Sequence, residues 1–236
     1  MNTMGNLHRL LAVSEATARE LVRRRGVLVL LVLFPLPFYL SRHNEHTGQS
    51  IRFLFLGLAW AVSAAALFVG HGGRVLEQRL SVSGYRAAQV WVGRMLALWA
   101  LGVLVAAPYL VLVAVDQPGV RIGAIAAAMA LCVAAAAPFG LLLGLLVPRE
   151  LEGALLLLVA AGMQMMIDPA SPAARLLPFW SGREIGTYAI DHTDSGFLMR
   201  GAAHGVATTL LLATAVAVAS ARRLRRRPHM RPLSSA

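Results

Sequence analysis

Lysine is absent from this sequence, so all 22 of its basic side chains are arginines. A phosphate-binding loop of the Gly-x-x-x-x-Gly-Lys-Ser/Thr kind needs its lysine, and the chain cannot supply one. Charge is scarce as well, at 14% of residues, where a soluble domain carries about 25%. No stretch is left for a separate soluble domain of ordinary size. There is one cysteine, Cys132, in an apolar run. It excludes an internal disulfide and a cysteine-rich metal site. A cleavable signal pattern is not expected either, because a long polar stretch precedes the first apolar run.

What is present is apolar. Hydrophobic residues make up 58% of the chain, and the mean hydropathy is +0.66. Apolar runs near span length recur, which marks an all-α, polytopic membrane protein. The runs predict six spans, over about 26–41, 51–69, 88–115, 122–147, 151–167 and 201–221. The first is short, about 24 Å as a helix, and Pro35 and Pro37 should kink or break its outer half. The fourth carries Gly140-Leu-Leu-Leu-Gly144, a spacing that lets helices approach closely, and Ala61, Ser63 and Ala65 give the second span a small-residue face.

Residues 1–25 read as an amphipathic helix lying at the membrane surface. Leu7, Leu10, Leu11, Ser14, Ala18, Leu21 and Val22 form its apolar face, and Glu15–Arg19 and Glu20–Arg24 are favourable i,i+4 pairs. Residues 26–222 are expected to form a six-span transmembrane domain, and 223–236 a basic, disordered tail. The net charge of +11 would suggest nucleic acid in a soluble protein. Here the arginines cluster beside spans, so they set topology and no nucleic-acid partner is expected. With both termini cytoplasmic, sixteen arginines and five acids lie inside, against six and six outside. That asymmetry supports a multi-pass protein with both termini in the cytoplasm.

The longest polar interruption inside runs from His71 to Arg94. Val75, Leu76, Arg79 and Leu80 fall at helical spacing, which predicts a short amphipathic helix, and Ser81 to Gly84 reads as a turn. A connection with a shape of its own suggests a docking surface for something soluble. Other candidates are weaker. His43-Asn-Glu-His46 lacks a fourth metal ligand, and no metal site is expected. Met163, Met165 and Met166 fit packing better than soft-metal transport. Ser181 and His204 lack the pattern of a nucleophile with its base, so no catalytic residue is expected. The segment from Asp168 to Arg200 either dips into the membrane through its apolar Pro172 to Trp180 part, with Trp180 at headgroup level, or lies on the surface.

This plan resembles the six-span permease subunits of ATP-binding-cassette exporters of the second type, the ABC-2 type permeases. The resemblance covers nearly the whole chain. It rests on the amphipathic helix before the first span and on Gly73-Arg-Val-Leu-Glu77-Gln-Arg-Leu80-Ser-Val-Ser-Gly84-Tyr85 followed by Gly93-Arg94. It also rests on Arg149-Glu150 and on Asp168-Pro169-Ala-Ser-Pro172 with Leu177-Pro178-Phe179-Trp180. In the family the inner loop reads like Glu-Arg-x-x-Gly-Thr-Leu-Glu-x-Leu. Leu76, Glu77 and Leu80 match it, while His71, Gly72 and Arg74-Val75 stand where the family has its early acid and Gly-Thr.

The resemblance implies that Arg74, Val75, Leu76, Glu77, Arg79 and Leu80 belong to a cytoplasmic coupling helix seated in a separate ATPase subunit, present in two copies. ATP and magnesium would bind there and no cofactor on this chain, which is not itself an enzyme. Two permease chains would pair, as a homodimer or heterodimer, in the lipid of the plasma membrane. The first and fifth spans would line a central path through Phe34, Pro35, Pro37, Met163, Gln164 and Ile167, and re-entrant helices would follow Asp168. The spans are almost free of ionisable groups, unlike those of ion-coupled carriers. That favours ATP-driven export of an apolar or amphipathic substrate, such as a drug, lipid or lipopeptide. The alternative is a self-sufficient channel or secondary carrier.

Overall fold

The computed structural model describes the backbone of residues 3–43, 47–82, 85–168 and 171–225, and the side chains of 6–43, 48–72, 85–168 and 171–222. Among these residues the secondary structure is helical throughout, with no strand. The order is α1 Thr3–Arg23, α2 Arg25–Leu33, α3 Pro35–Leu40, α4 Thr47–Val82, α5 Ala87–Asp116, α6 Ile122–Leu146, α7 Glu150–Met166, a 3-10 turn at Pro172–Leu176, α8 Trp180–Ile190 and α9 Ser195–Arg225.

Among the described residues, four helical stretches are long and apolar enough to cross a membrane: Gly48–Gly72, Ala87–Asp116, Ile122–Leu146 and Ser195–Arg222. The expected first and fifth spans are shorter. Arg25–Leu40 is apolar but falls below that length, and α7 has 17 residues, about 25 Å. The first is also two helices rather than one. Pro35 and Pro37 cannot donate a backbone N–H, so the ladder fails at Phe34 and α3 starts afresh. Tyr109 of α5 donates its hydroxyl to the Val32 carbonyl at the break, and Phe34 stacks on Trp60 of α4.

The core is the seam between α4 and α6, which run parallel. A Cβ on Gly140 would overlap the Ser63 carbonyl oxygen, and one on Gly144 would come within 2.8 Å of the Leu67 carbonyl. These glycines therefore let two backbones touch, as their four-residue spacing predicts. Ser63 seals the contact by donating to the Ala136 carbonyl at 3.2 Å. Ala61, Ser63 and Ala65 are all buried there.

Two expectations are corrected, the separate helix over 75–80 and the start of the last span. The short separate helix over 75–80 is instead the end of α4, which runs unbroken from Thr47 to Val82, about 54 Å. Gly70 does not interrupt it, since Gly70 is held against Gly144 with a Cβ-to-Cα clearance of only 3.0 Å. The face of α1 that packs is Val13, Thr17 and Leu21, seated on α5 where Gly93 meets Val13. Leu7, Leu11 and Val22 point away from the bundle and form a second apolar stripe. Finally, α9 begins at Ser195 rather than near 201. The tail from 226 lies outside the described residues.

Candidate functional site

Two regions bear on function, at opposite ends of the bundle. One end gathers the α3 terminus, the α4 start, the α5–α6 turn and the α8–α9 turn. Tyr39 donates to Asp116 there, His43 lies 3.3 Å from the same carboxylate, and the Arg121 amide bonds the Ala189 carbonyl at 3.0 Å. His46 and its neighbours at 44 and 45 lie outside the described residues, and no metal-binding cluster occurs among the described ones.

The α8 helix explains the shape of this end. Its last turn stands beside Arg121, at the start of α6. Its first turn stands beside Cys132, because a Cβ on Gly182 would come 2.8 Å from the Cys132 sulfur. So α8 runs alongside the first ten residues or so of α6, about 15 Å of its length. Gly182 and Gly186 face Phe55 of α4 closely enough to permit this. Trp180 is consequently buried, edge-on to His204, and not placed at the rim. His204 lies 2.9 Å from the Arg175 carbonyl. Ser181 is buried, and its hydroxyl has no hydrogen-bond partner among the described residues, His204 included.

Between the α4 start, the α7 end and α8 lies a cavity of about 970 Å³. Its walls include Phe53, Phe55 and Leu56 of α4, Gln164, Met165 and Met166 of α7, then Ile167, Asp168, Phe179 and Arg183, with Cys132 among the lining residues. That volume lies in the range of sites that take a small molecule. The sequence-predicted path residues divide here. Gln164 and Ile167 line the cavity. Phe34 is held on Trp60, Pro35 is buried, and Pro37 and Met163 are exposed outside it. The Gln164 carbonyl oxygen is enclosed without a hydrogen-bond partner.

Two arginines at this cavity were read from the sequence only as outer charges. Arg52 donates to Asp191 at 2.6 Å and to Thr187 at 3.2 Å. Arg183, one turn before Thr187, is half-buried, and its guanidinium forms no hydrogen bond or ion pair among the described residues. Its electrostatic neighbours are Arg52, Glu184 and Asp168, and Glu184 is already paired with Arg200 at 3.2 Å. The equal number of arginines and acids assigned to this side was the available signal for such pairing; which arginine would be left over was not readable.

At the other end, His71 joins elements. Its Nδ1 lies 3.2 Å from the Leu67 carbonyl and its Nε2 2.9 Å from the Val147 carbonyl. That ties α4 to the turn between α6 and α7. Beyond it the α4 backbone continues through Arg74, Val75, Leu76, Glu77, Arg79 and Leu80. The side chains of these six lie outside the described residues.

No curated protein matches this chain. The model of the ABC-2 family transporter proteins matches residues 34–216, from the α2–α3 break through the greater part of α9. The match spans well over half of the sequence and takes in both ends of the bundle, and the chain belongs to the ABC-2 family of transporter proteins, multi-pass membrane components of ABC transporters.

Proposed function

We propose that this chain is the permease subunit of an ATP-driven exporter. It crosses the plasma membrane six times with both termini inside, pairs with a second permease chain, and is driven by two copies of a separate ATPase that bind ATP and magnesium. The observation that carries this reading is the length of α4. The window long and apolar enough to cross a membrane lies within Gly48–Gly72, and the helix continues unbroken through the polar sequence Arg74-Val-Leu-Glu-Gln-Arg79 to Val82. A flexible loop would absorb a push from a soluble partner, whereas a helix continuous with a buried span delivers it. Residues Arg74 to Leu80 are the docking end, with Val75, Leu76 and Leu80 as apolar anchors and Glu77 and Arg79 as charged contacts.

In this reading α2, α3 and α7 cross the bilayer as short spans, and α8 enters it from outside without crossing. Phe34, Pro35, Pro37 and Met163 face a path between two chains, continuous with the cavity at Gln164 and Ile167. The cargo is apolar or amphipathic, since the spans provide few ionisable groups to coordinate an ion.

The test is Leu76→Ala combined with Leu80→Ala. Truncating a packed anchor costs more than about 1 kcal/mol of binding. The double variant should insert normally, lose copurification with the ATPase and lose export-linked ATP hydrolysis. Undiminished transport by the variant, or by purified permease alone, would establish a self-sufficient carrier instead. Reporters fused after Ala236 should read cytoplasm and one inserted at Thr193 should read outside; a cytoplasmic Thr193 breaks the six-span map.

A further inference from the structure

The cavity beside α8 has a chemistry that narrows the cargo. Its lining includes the apolar Phe53, Phe55, Leu56 and Met165 together with two guanidinium groups, those of Arg52 and Arg183. Arg52 is committed to Asp191 and Thr187. Arg183 is not committed to anything by a hydrogen bond or ion pair among the described residues, although it is half withdrawn from solvent. A partly desolvated cation beside a second cation is unfavourable unless an anion joins it. Asp191 neutralises Arg52 and also lines the cavity. Asp168 lines it as well and is an electrostatic neighbour of Arg183.

We propose that this cavity seats an amphiphile with an anionic head group, its carboxylate or phosphate on Arg183 and its hydrocarbon tail along Phe53, Phe55 and Leu56. This rests on the export reading and deepens it by giving the cargo a charge. The arrangement asks for both parts at once. A small anion gains nothing from the apolar wall, and an uncharged tail leaves Arg183 as it was. Arg183 stands at the base of the Thr187 turn that holds Arg52, so a head group there is also within reach of the second guanidinium when Asp191 gives way.

The experiment uses the full chain, purified without any ATPase and placed in nanodiscs of phosphatidylcholine. The probe is the fluorescent fatty acid cis-parinarate, titrated against protein-bearing and empty nanodiscs, with its methyl ester and with butanoate as comparisons. Parinarate should bind in excess of the empty discs, and the ester and butanoate should not. Arg183→Gln should weaken parinarate binding about tenfold, the loss typical of one charge-assisted hydrogen bond, and Arg183→Lys should restore most of it. Asp191→Asn, at an exposed position, should strengthen binding by releasing Arg52. Opposite signs from these variants cannot come from general unfolding. Equal binding of acid and ester, or variants indistinguishable from the parent protein, overturns the proposal. Adding phosphatidylglycerol separates two sources of the same chemistry: displacement of parinarate identifies a resident lipid as the occupant, and no displacement identifies a free amphiphile. Because no ATPase is present, failure here leaves the coupling test standing, and failure of coupling leaves this one standing.

Discussion

The α4–α6 seam and helix α7 are both apolar and both expected from the sequence, yet they are held in different ways. At the seam, backbone meets backbone: Gly140 lies against Ser63, and Gly144 against Leu67 and Gly70. Along α7 only Gly153 and Leu157 are buried. Leu151, Leu155, Leu158, Val159 and Met166 are all more than half exposed. A seam of that kind has no slack, because backbones cannot rotate away as side chains can. A helix attached through so few positions can tilt at little cost. The difference is one of attachment: α4 and α6 form the frame, and α7 leans on it through Gly153, Ala154 and Leu157.

Three glycine substitutions break or sharpen this contrast, in falling order of effect. Gly140→Ala puts a methyl into the Ser63 carbonyl and should cost about 3 kcal/mol or more, read as loss of a monodisperse peak and a lower thermal midpoint in detergent. Gly153→Ala meets the Leu67 Cδ1 at 2.6 Å. Leu67 is fully buried, but the end of its side chain can shift where a backbone carbonyl cannot, so the cost should be about 1–2 kcal/mol, below that at Gly140. Gly162→Ala meets nothing within 4 Å and should be neutral or stabilise by up to about 1 kcal/mol through helix propensity. Equal losses for Gly140 and Gly153 would mean that α7 is as firmly seated as the frame.

His71 connects the two regions. Its ring spans from the Leu67 carbonyl to the Val147 carbonyl, and α7 begins three residues beyond Val147. One side chain therefore links the membrane-buried part of α4 to the start of α7. His71→Ala should lower stability by about 1–2 kcal/mol, as loss of a buried hydrogen-bonding group does. It should also leave the ATPase attached while uncoupling hydrolysis from export. Detachment of the ATPase in this variant would show that His71 shapes the docking end itself rather than transmitting from it.

Much of the frame was legible because its signals are local. Gly140 and Gly144 are one helical turn apart, and Pro35 and Pro37 remove specific donors, so the close seam and the weak first span follow from the residues alone. The ends of the spans over 51–69, 88–115 and 122–147 were read within a few positions, while the last apolar helix starts six residues earlier than read. The cavity was not legible. It depends on how far α8 descends beside α6, which is set by Gly182 and Gly186 meeting Cys132 and Phe55 from other helices. Nothing in the local pattern around Arg183 distinguishes it from Arg200, which has Glu184 to pair with. The face by which α1 packs on α5 was not legible, because Val13 meets Gly93, a partner far along the chain. Thr17 satisfies its own hydroxyl on the Val13 carbonyl at 2.9 Å, which lets a polar residue sit on the buried side.

The smallest expected effect on stability belongs to the outer face of α7. Leu155 and Leu158 are one turn apart, on one face, and 52% and 60% exposed. Replacing both by alanine removes little packing within this chain, so the thermal midpoint of the monomer should move by no more than about 0.5 kcal/mol, the range for surface positions. Their consequence should appear between chains. If α7 borders the path between two permeases, these leucines are the side chains that meet the partner, and the double variant should shift the dimer toward monomer in native membranes. Cysteines at Phe34 and Gln164 in a Cys132→Ala background should crosslink between chains or react with substrate-like probes in the parent, and lose that reactivity in the double variant. A stable dimer with unchanged crosslinking would place the seam elsewhere, on the equally exposed Val103, Leu104 and Val111 of α5. In that case α7 would face lipid, and its loose attachment would serve access from the bilayer rather than assembly.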